Sequence, residues 1–211
     1  MKILRDQLLP YLSAGQRILD IGCGYGRLSS PIQQIRPDLH IIGMDFAFSY
    51  CQQFHQNTHL PTICADLQNP PLKPDYFDAL LAVTALMYVP PDKQENVFQN
   101  LTKLLKPNGY ALFIDPGKEF IEFVNRIRPF SSPTGGYSFS KNDYTNLGHT
   151  HKTIIIQQGA IPGFTFLLPI LFACHSIKPL YNFLKKIAYY LDTYTNHQTY
   201  TLHRWMLVKR I

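Results

Sequence analysis

Residues 18–26, Ile18-Leu19-Asp20-Ile21-Gly22-Cys23-Gly24-Tyr25-Gly26, run from an apolar strand into a turn with glycine at every second position. Glycine accepts left-handed backbone and lets a ligand lie against the main chain where a side chain would collide. A dinucleotide fingerprint reads G-x-G-x-x-G, whereas Gly22, Gly24 and Gly26 give G-x-G-x-G with Asp20 two residues ahead. A pyrophosphate seeks bare amides at a helix N-terminus and is repelled by a carboxylate, while a ligand bearing an ammonium group is drawn to one. The loop therefore predicts a cationic nucleoside.

Three further segments follow in order. Leu39-His40-Ile41-Ile42-Gly43-Met44 reads as a buried strand ending at Asp45, nineteen positions after Gly26, where ribose-binding folds place a carboxylate to accept from two hydroxyls. Pro61 to Ala65 is a short apolar strand closing on Asp66, and Phe77 to Val89 is a longer apolar strand with its loop. A helix stop at Leu104 to Asn108 then precedes a fifth strand, Gly109 to Asp115. Asp20 through Gly26, and this succession over residues 15–116, resemble the class I S-adenosylmethionine-dependent methyltransferases. The resemblance implies S-adenosylmethionine as cofactor. It implies that Asp20 and the loop of Gly22, Cys23, Gly24 and Gly26 hold the methionine end, with Tyr25 and Arg27 near its carboxylate. Asp45 would take the ribose, Phe46 and Leu67 the adenine faces, Asp66 the adenine amino group, and Val83 would lie beneath the methionine tail.

Apolar strands alternating with helical stretches through residue 116 give βαβ units and a parallel sheet. The expected fold is α/β, a doubly wound Rossmann-like sheet of seven mostly parallel strands. The resemblance implies that its last strand, near residues 200–208, runs antiparallel, after a helical insertion. With 211 residues, 45% hydrophobic and 16% charged, one domain is expected. Residues 1–116 would form the cofactor half, 117–152 a substrate-side loop and helices, and 160–198 the insertion. Helices are expected near residues 3–12, 26–35, 47–56, 92–105 and 118–128. Ser140 to Asp143 reads as a capping box, residues 152–157 as a strand, and 129–137 as a loop of turn formers. Within the insertion, Pro162 and Pro169 argue against a membrane span. Leu180, Phe183, Leu184, Ile187 and Leu191 recur at helical spacing, which fits a substrate lid, an interfacial helix touching a membrane surface through residues 160–191, or an ordinary packing helix.

Four cysteines without a C-x-x-C pair, and a start without a cleavage-like site, point to a reduced, cytoplasmic setting. No histidine has convincing metal-ligand spacing, so no metal is expected. Residues 1–117 carry nine basic against ten acidic side chains, net −1, and residues 118–211 carry eleven against four, net +7. A basic half can steer an anionic substrate, a nucleic acid or a membrane surface. Nucleic acid is nevertheless disfavoured: Val83-Thr84-Ala85-Leu86 lacks the tetrad of adenine-N6 enzymes, and no Pro-Cys nucleophile of cytosine-C5 enzymes is present. Methyl transfer rests more on alignment than on a base, since alignment supplies effective molarities of ~10⁵–10⁸ M against ~10²–10⁴-fold for a base. Many family members place a His where Tyr88 stands. Tyr88, His149 and His151 are the candidate catalytic residues. The expected activity is methylation of a small amphiphilic or aromatic O- or N-nucleophile. The alternative is a binding protein that keeps the cofactor pocket without turnover.

Overall fold

The computed structural model describes residues 1–127, 136–149, 152–162, 174, 176–194 and 201–211. Seven strands form one sheet: β1 Arg17–Ile21, β2 His40–Asp45, β3 Thr62–Cys64, β4 Phe77–Val83, β5 Leu105–Pro116, β6 Thr153–Pro162 and β7 Thr201–Arg210. Their order is β3-β2-β1-β4-β5-β7-β6. The pairs from β3 to β5 are parallel, and β7 runs antiparallel between β5 and β6. This is the expected doubly wound sheet with its reversed last strand. Strand order turns back between β1 and β4, so the loops leaving their carboxyl ends diverge and open a crevice, the usual ligand position in such sheets.

Alternation along each strand sends side chains to two cores. Leu19, Leu80, Phe113 and Met206 join Phe98 of α3 (Pro91–Thr102) and Tyr144 of α5 (Lys141–Gly148) on one face. On the other, Ile18, Leu81, Ile114 and Trp205 meet Leu4, Leu8 and Ile32 of the N-terminal segment and α1 (Ser29–Ile35). The expected helix over 3–12 is a π turn, Leu4–Leu8, followed by a 3-10 turn, Leu9–Tyr11. Pro10 lacks the amide a longer α-helix would need. Arg36 fastens this segment, donating to the carbonyls of Leu9 (3.3 Å) and Leu12 (3.0 Å) while pairing with Asp38 at 2.7 Å.

Helix boundaries move where glycine or strand pairing intervenes. α1 begins at Ser29 rather than 26 because Gly26 has φ +89° and stands where a Cβ would lie 2.6 Å from Thr58 Cγ2. α2 covers Phe48–Thr58 and α4 Lys118–Ile127. α3 stops at Thr102, short of the expected 105, since Leu105 already pairs with Phe77. The capping box of α5 is present: Asp143 N–H donates to Ser140 Oγ (3.2 Å) and Ser140 N–H to Asp143 Oδ2 (2.7 Å). β6 runs five residues past the expected end at Gln157 and takes in Ala160 and Ile161, which pair with Arg204 and His203. The first residues assigned to the insertion are therefore strand, held by ladder hydrogen bonds. α6 covers Lys178–Tyr194, and Ile177, Leu180 and Phe183 along it are exposed. Residues 128–135, with most of the turn-former loop, and 163–173 of the insertion lie outside the described residues. Among the described residues no helix is long and apolar enough to cross a membrane.

Candidate functional site

Asp20 is the fourth residue of β1 and is 2% exposed, a carboxylate driven into the sheet edge by the apolar strand on either side. Ser29 Oγ at the start of α1 donates to its Oδ2 at 2.6 Å. Burial pushes its pKa up to about 7, and the Asp45 carboxylate adds to the rise, while the Ser29 hydroxyl and the charge of Arg27 oppose it. A cation arriving beside Asp20 would favour the ionised form.

The glycine loop folds back on β2. Gly22 and Cys23 both donate their amides to the Met44 carbonyl, at 2.8 and 3.1 Å. The bend requires φ +69° at Gly22, and a Cβ there would press to 3.1 Å on Ala85 Cβ. Asp45 then joins the two loops: Oδ2 accepts from Gly24 N–H and Oδ1 from Ala47 N–H, each at 2.9 Å. Each carboxylate oxygen keeps a further lone-pair direction for a ligand. Asp66, past the end of β3, is oriented by Gln68 N–H, which donates to Oδ1 at 2.8 Å.

These groups surround a cavity of about 570 Å³ whose wall includes Asp20, Gly22, Cys23, Gly24, Asp45, Phe46, Asp66, Leu67, Val83 and Tyr88. That volume suits a nucleoside-sized ligand. Gly26 is buried at the back of the bend, outside the lining, where it lets α2 pack close. Phe46 is 76% exposed, at the rim of the cavity. Cys23 is buried, and desolvation with the carboxylates Asp20 and Asp45 drives its thiol pKa far up, so it stays protonated and inert.

Not all expected residues gather here. Tyr88 reaches the rim, about half exposed, in the 3-10 turn Leu86–Tyr88. His149 does not come near. It ends α5 at the amino edge of the parallel strands, in a separate cleft with Glu95, Gln99, Lys103 and Arg210. The turn from α5 into β6 carries it there, because β6 enters the sheet beside the end of β7. His151 lies outside the described residues. Among those residues no cluster of three or more His, Cys, Asp or Glu has the arrangement of a metal site.

Two further residues beside the cavity had no expected role. Thr84, in the cavity wall, has φ +55°, a strained position for a β-branched residue. Its amide donates to Ile114 O at 2.7 Å and its hydroxyl to Val83 O at 2.6 Å, which hold it there. Asp115, fully buried behind the 84–88 turn, accepts from Met87 N–H (3.0 Å) and from Tyr144 Oη (2.8 Å). Burial raises its pKa to about 7 against those hydrogen bonds. It fixes the floor of the cavity from below. An aspartate ending a buried strand marks the position, but only the fold reveals its partners.

Comparison with known proteins agrees with this geometry. Residues 18–109 match the family model of a methyltransferase domain. The tRNA N(3)-cytidine methyltransferase METTL2 of Mus musculus is 30% identical over 120 residues, covering 52% of this chain and 31% of that protein. The malonyl-[acyl-carrier protein] O-methyltransferase of Legionella pneumophila is 30% identical over 116 residues, 53% of this chain and 40% of that one. The chain thus spans only 31–40% of the length of these two relatives. An S-adenosylmethionine-dependent methyltransferase from Mesorhizobium loti superposes with a TM-score of 0.66 at 16% identity, covering 98% of this chain and 97% of its own. Glycine loop, motif order, sheet order and the domain matched over residues 18–109 are together similar to those of the class I S-adenosylmethionine-dependent methyltransferases, whose fold this chain shares.

Proposed function

We propose that the protein binds S-adenosylmethionine in the 570 Å³ cavity and methylates a small amphiphilic or aromatic acceptor at oxygen or nitrogen. The observation that carries the cofactor half is charge. Asp20, Asp45 and Asp66 face one cavity, and among the described residues none lies in an ion pair. A cationic nucleoside supplies what they lack. In this reading Asp45 accepts from the ribose hydroxyls, Asp66 from the adenine amino group, and Phe46 and Leu67 sandwich the ring. Asp20 and the loop amides receive the methionine end above Val83. When bound, the cofactor supplies an electrophilic methyl group on a sulfonium. The protein's own share is alignment and exclusion of water, from a floor held by Thr84 and Asp115. Tyr88 lines the acceptor side of the rim.

The relatives named above act on tRNA and on an acyl-carrier protein, so the acceptor is decided by assay. Calorimetric titration with S-adenosylmethionine and S-adenosylhomocysteine comes first. Transfer of a labelled methyl group to lipid, quinone, phenolic and glycan acceptors follows, with unmodified tRNA as a parallel arm. Turnover on tRNA alone would replace the small-molecule assignment. Tight cofactor binding without turnover on any arm would favour the non-catalytic binding protein, a reading that the Tyr88 position keeps in play. The exposed Ile177, Leu180 and Phe183, with Lys178 and Lys186 beside them, fit contact with an anionic membrane surface. Flotation with anionic vesicles tests that contact, and equal recovery with neutral vesicles would dismiss it.

A further inference from the structure

A second cavity, about 640 Å³, adjoins the first and shares Arg27, Leu28, Val83 and Thr84 with it. Its remaining wall comes from the N-terminal segment, the carboxyl ends of β5 and β6, and the amino end of the antiparallel β7. His203 and Trp205 line it because they alternate with Arg204 and Met206, which face the other side of the sheet. Apolar side chains make up most of the surface, among them Ile3, Ile114, Ile161 and Trp205. The charged side chains on it are Lys2, Asp6 and Arg27, and Asp6 already pairs with Arg5 at 3.0 Å. Among the described residues no carboxylate is within ion-pair distance of Lys2 or Arg27. The cavity is thus apolar, open to the cofactor cavity, and positive. His203 is mostly buried, and desolvation with the charge of Arg27 lowers its pKa, so its imidazole is neutral and able to accept a proton.

We propose that this cavity is the acceptor site and that the acceptor is an apolar hydroxy acid, its acid group paired by Arg27 and its hydroxyl proton taken by His203. The assignment rests on the methyl-transfer reading above. The acceptor oxygen forms its bond to the methyl carbon as the C–S bond breaks with its electron pair staying on sulfur, and the hydroxyl proton passes to the imidazole. A neutral acceptor would leave the Arg27 charge at the cavity mouth unanswered, and one without an apolar body would leave the Trp205 wall unfilled.

The test uses the whole protein loaded with S-adenosylhomocysteine. The probes are 4-hydroxybenzoate, 4-hydroxycinnamate and 6-hydroxy-2-naphthoate, each against its methyl ester, titrated by calorimetry. The acids are expected to bind at least ~10-fold more tightly than the esters, the size of one retained charge-assisted contact. Arg27→Gln, compared with wild type at saturating S-adenosylhomocysteine, should bring the acids down to the level of the esters. His203→Gln should keep acid affinity while cutting labelled methyl transfer by ~10²-fold or more. Acids that bind no better than esters, or an Arg27→Gln protein that still prefers the acids when saturated with S-adenosylhomocysteine, would overturn the acceptor site while leaving the cofactor site standing. Unchanged turnover in His203→Gln would overturn the base. Failure of wild-type protein to bind S-adenosylhomocysteine at all sinks the methyl-transfer reading, and this one with it.

Discussion

The two edges of the parallel sheet treat carboxylates in opposite ways. At the amino edge they are neutralised: Asp78 meets Lys106 at 2.7 Å and accepts from Arg17 N–H at 2.9 Å, Asp38 meets Arg36 at 2.7 Å, and Asp75 meets Arg210. At the carboxyl edge Asp20, Asp45, Asp66 and Asp115 accept only from amides and hydroxyls, and none lies in an ion pair among the described residues. One edge is built for stability and closes its charges. The other leaves negative charge unpaired, partly in buried positions where ionisation is costly, and three of its carboxylates, Asp20, Asp45 and Asp66, face the cavity of the proposed cationic ligand.

Asp45→Ala should break this contrast most severely. It removes the acceptor of the Gly24 and Ala47 amides together with the proposed ribose ligand, and S-adenosylhomocysteine affinity should fall ~100-fold or more, on the scale of two hydrogen bonds to a charge at ~1.5–3 kcal/mol each. Affinity within tenfold of wild type would remove Asp45 from the site.

Asp20→Asn should weaken S-adenosylmethionine by ~10–100-fold, one to two decades at ~1.4 kcal/mol each, yet make the free protein more stable at pH 8. The sign follows from linkage. The folded-state pKa of Asp20 is raised to about 7, so the folded protein keeps a proton that the unfolded chain releases near its ordinary value of about 4. That component of stability is present at low pH and lost as pH climbs toward 7, and Asp115 behaves alike. Asparagine escapes the loss, and each kcal/mol recovered should raise Tm by ~2–4 °C. Cofactor affinity in the wild type should run the other way, falling below pH 7 as protons compete for Asp20. A flat affinity from pH 5.5 to 8.5, measured by calorimetry, would show that no cation is held there.

At the opposite edge, Asp78→Asn should lower Tm by ~2–4 °C, about 1 kcal/mol for a partly exposed pair, and leave cofactor affinity alone. The smallest effect belongs to His149→Ala. Standing in the amino-edge cleft, it should change turnover by less than about twofold, within the range of an ordinary surface substitution of ~0.5 kcal/mol. A loss of ~10²-fold would return His149 to catalysis by a route this fold does not provide.

Much of the carboxyl-edge cavity was legible in the chain because its parts are local. Asp20, Gly22, Gly24 and Asp45 are set by strand-to-turn junctions, and a run of apolar residues ending in an acid or a glycine announces such a junction. The capping box at Ser140 was readable for the same reason. Helix ends were less so. α1 starts late because Thr58 of a distant helix crowds Gly26, and α3 stops early because Leu105 finds Phe77 across the sheet. β6 outruns its β-branched segment because β7 offers ladder partners through Pro162.

The amino-acid sequence by itself determined the strand order of chemistry: which segments are strands, which loop bends, and which carboxylates stand at strand ends. Short-range sterics and alternation are enough for that. Only the tertiary structure decided that His149 faces away while His203 faces in, that Thr84 is held left-handed, and that Asp115 supports the turn beneath the cavity. Those outcomes depend on which edge of a sheet a residue reaches, and on partners far away in the chain, such as Tyr144 for Asp115 and Ile114 for Thr84. Pairing at that separation is decided by packing of whole elements, which no local pattern encodes.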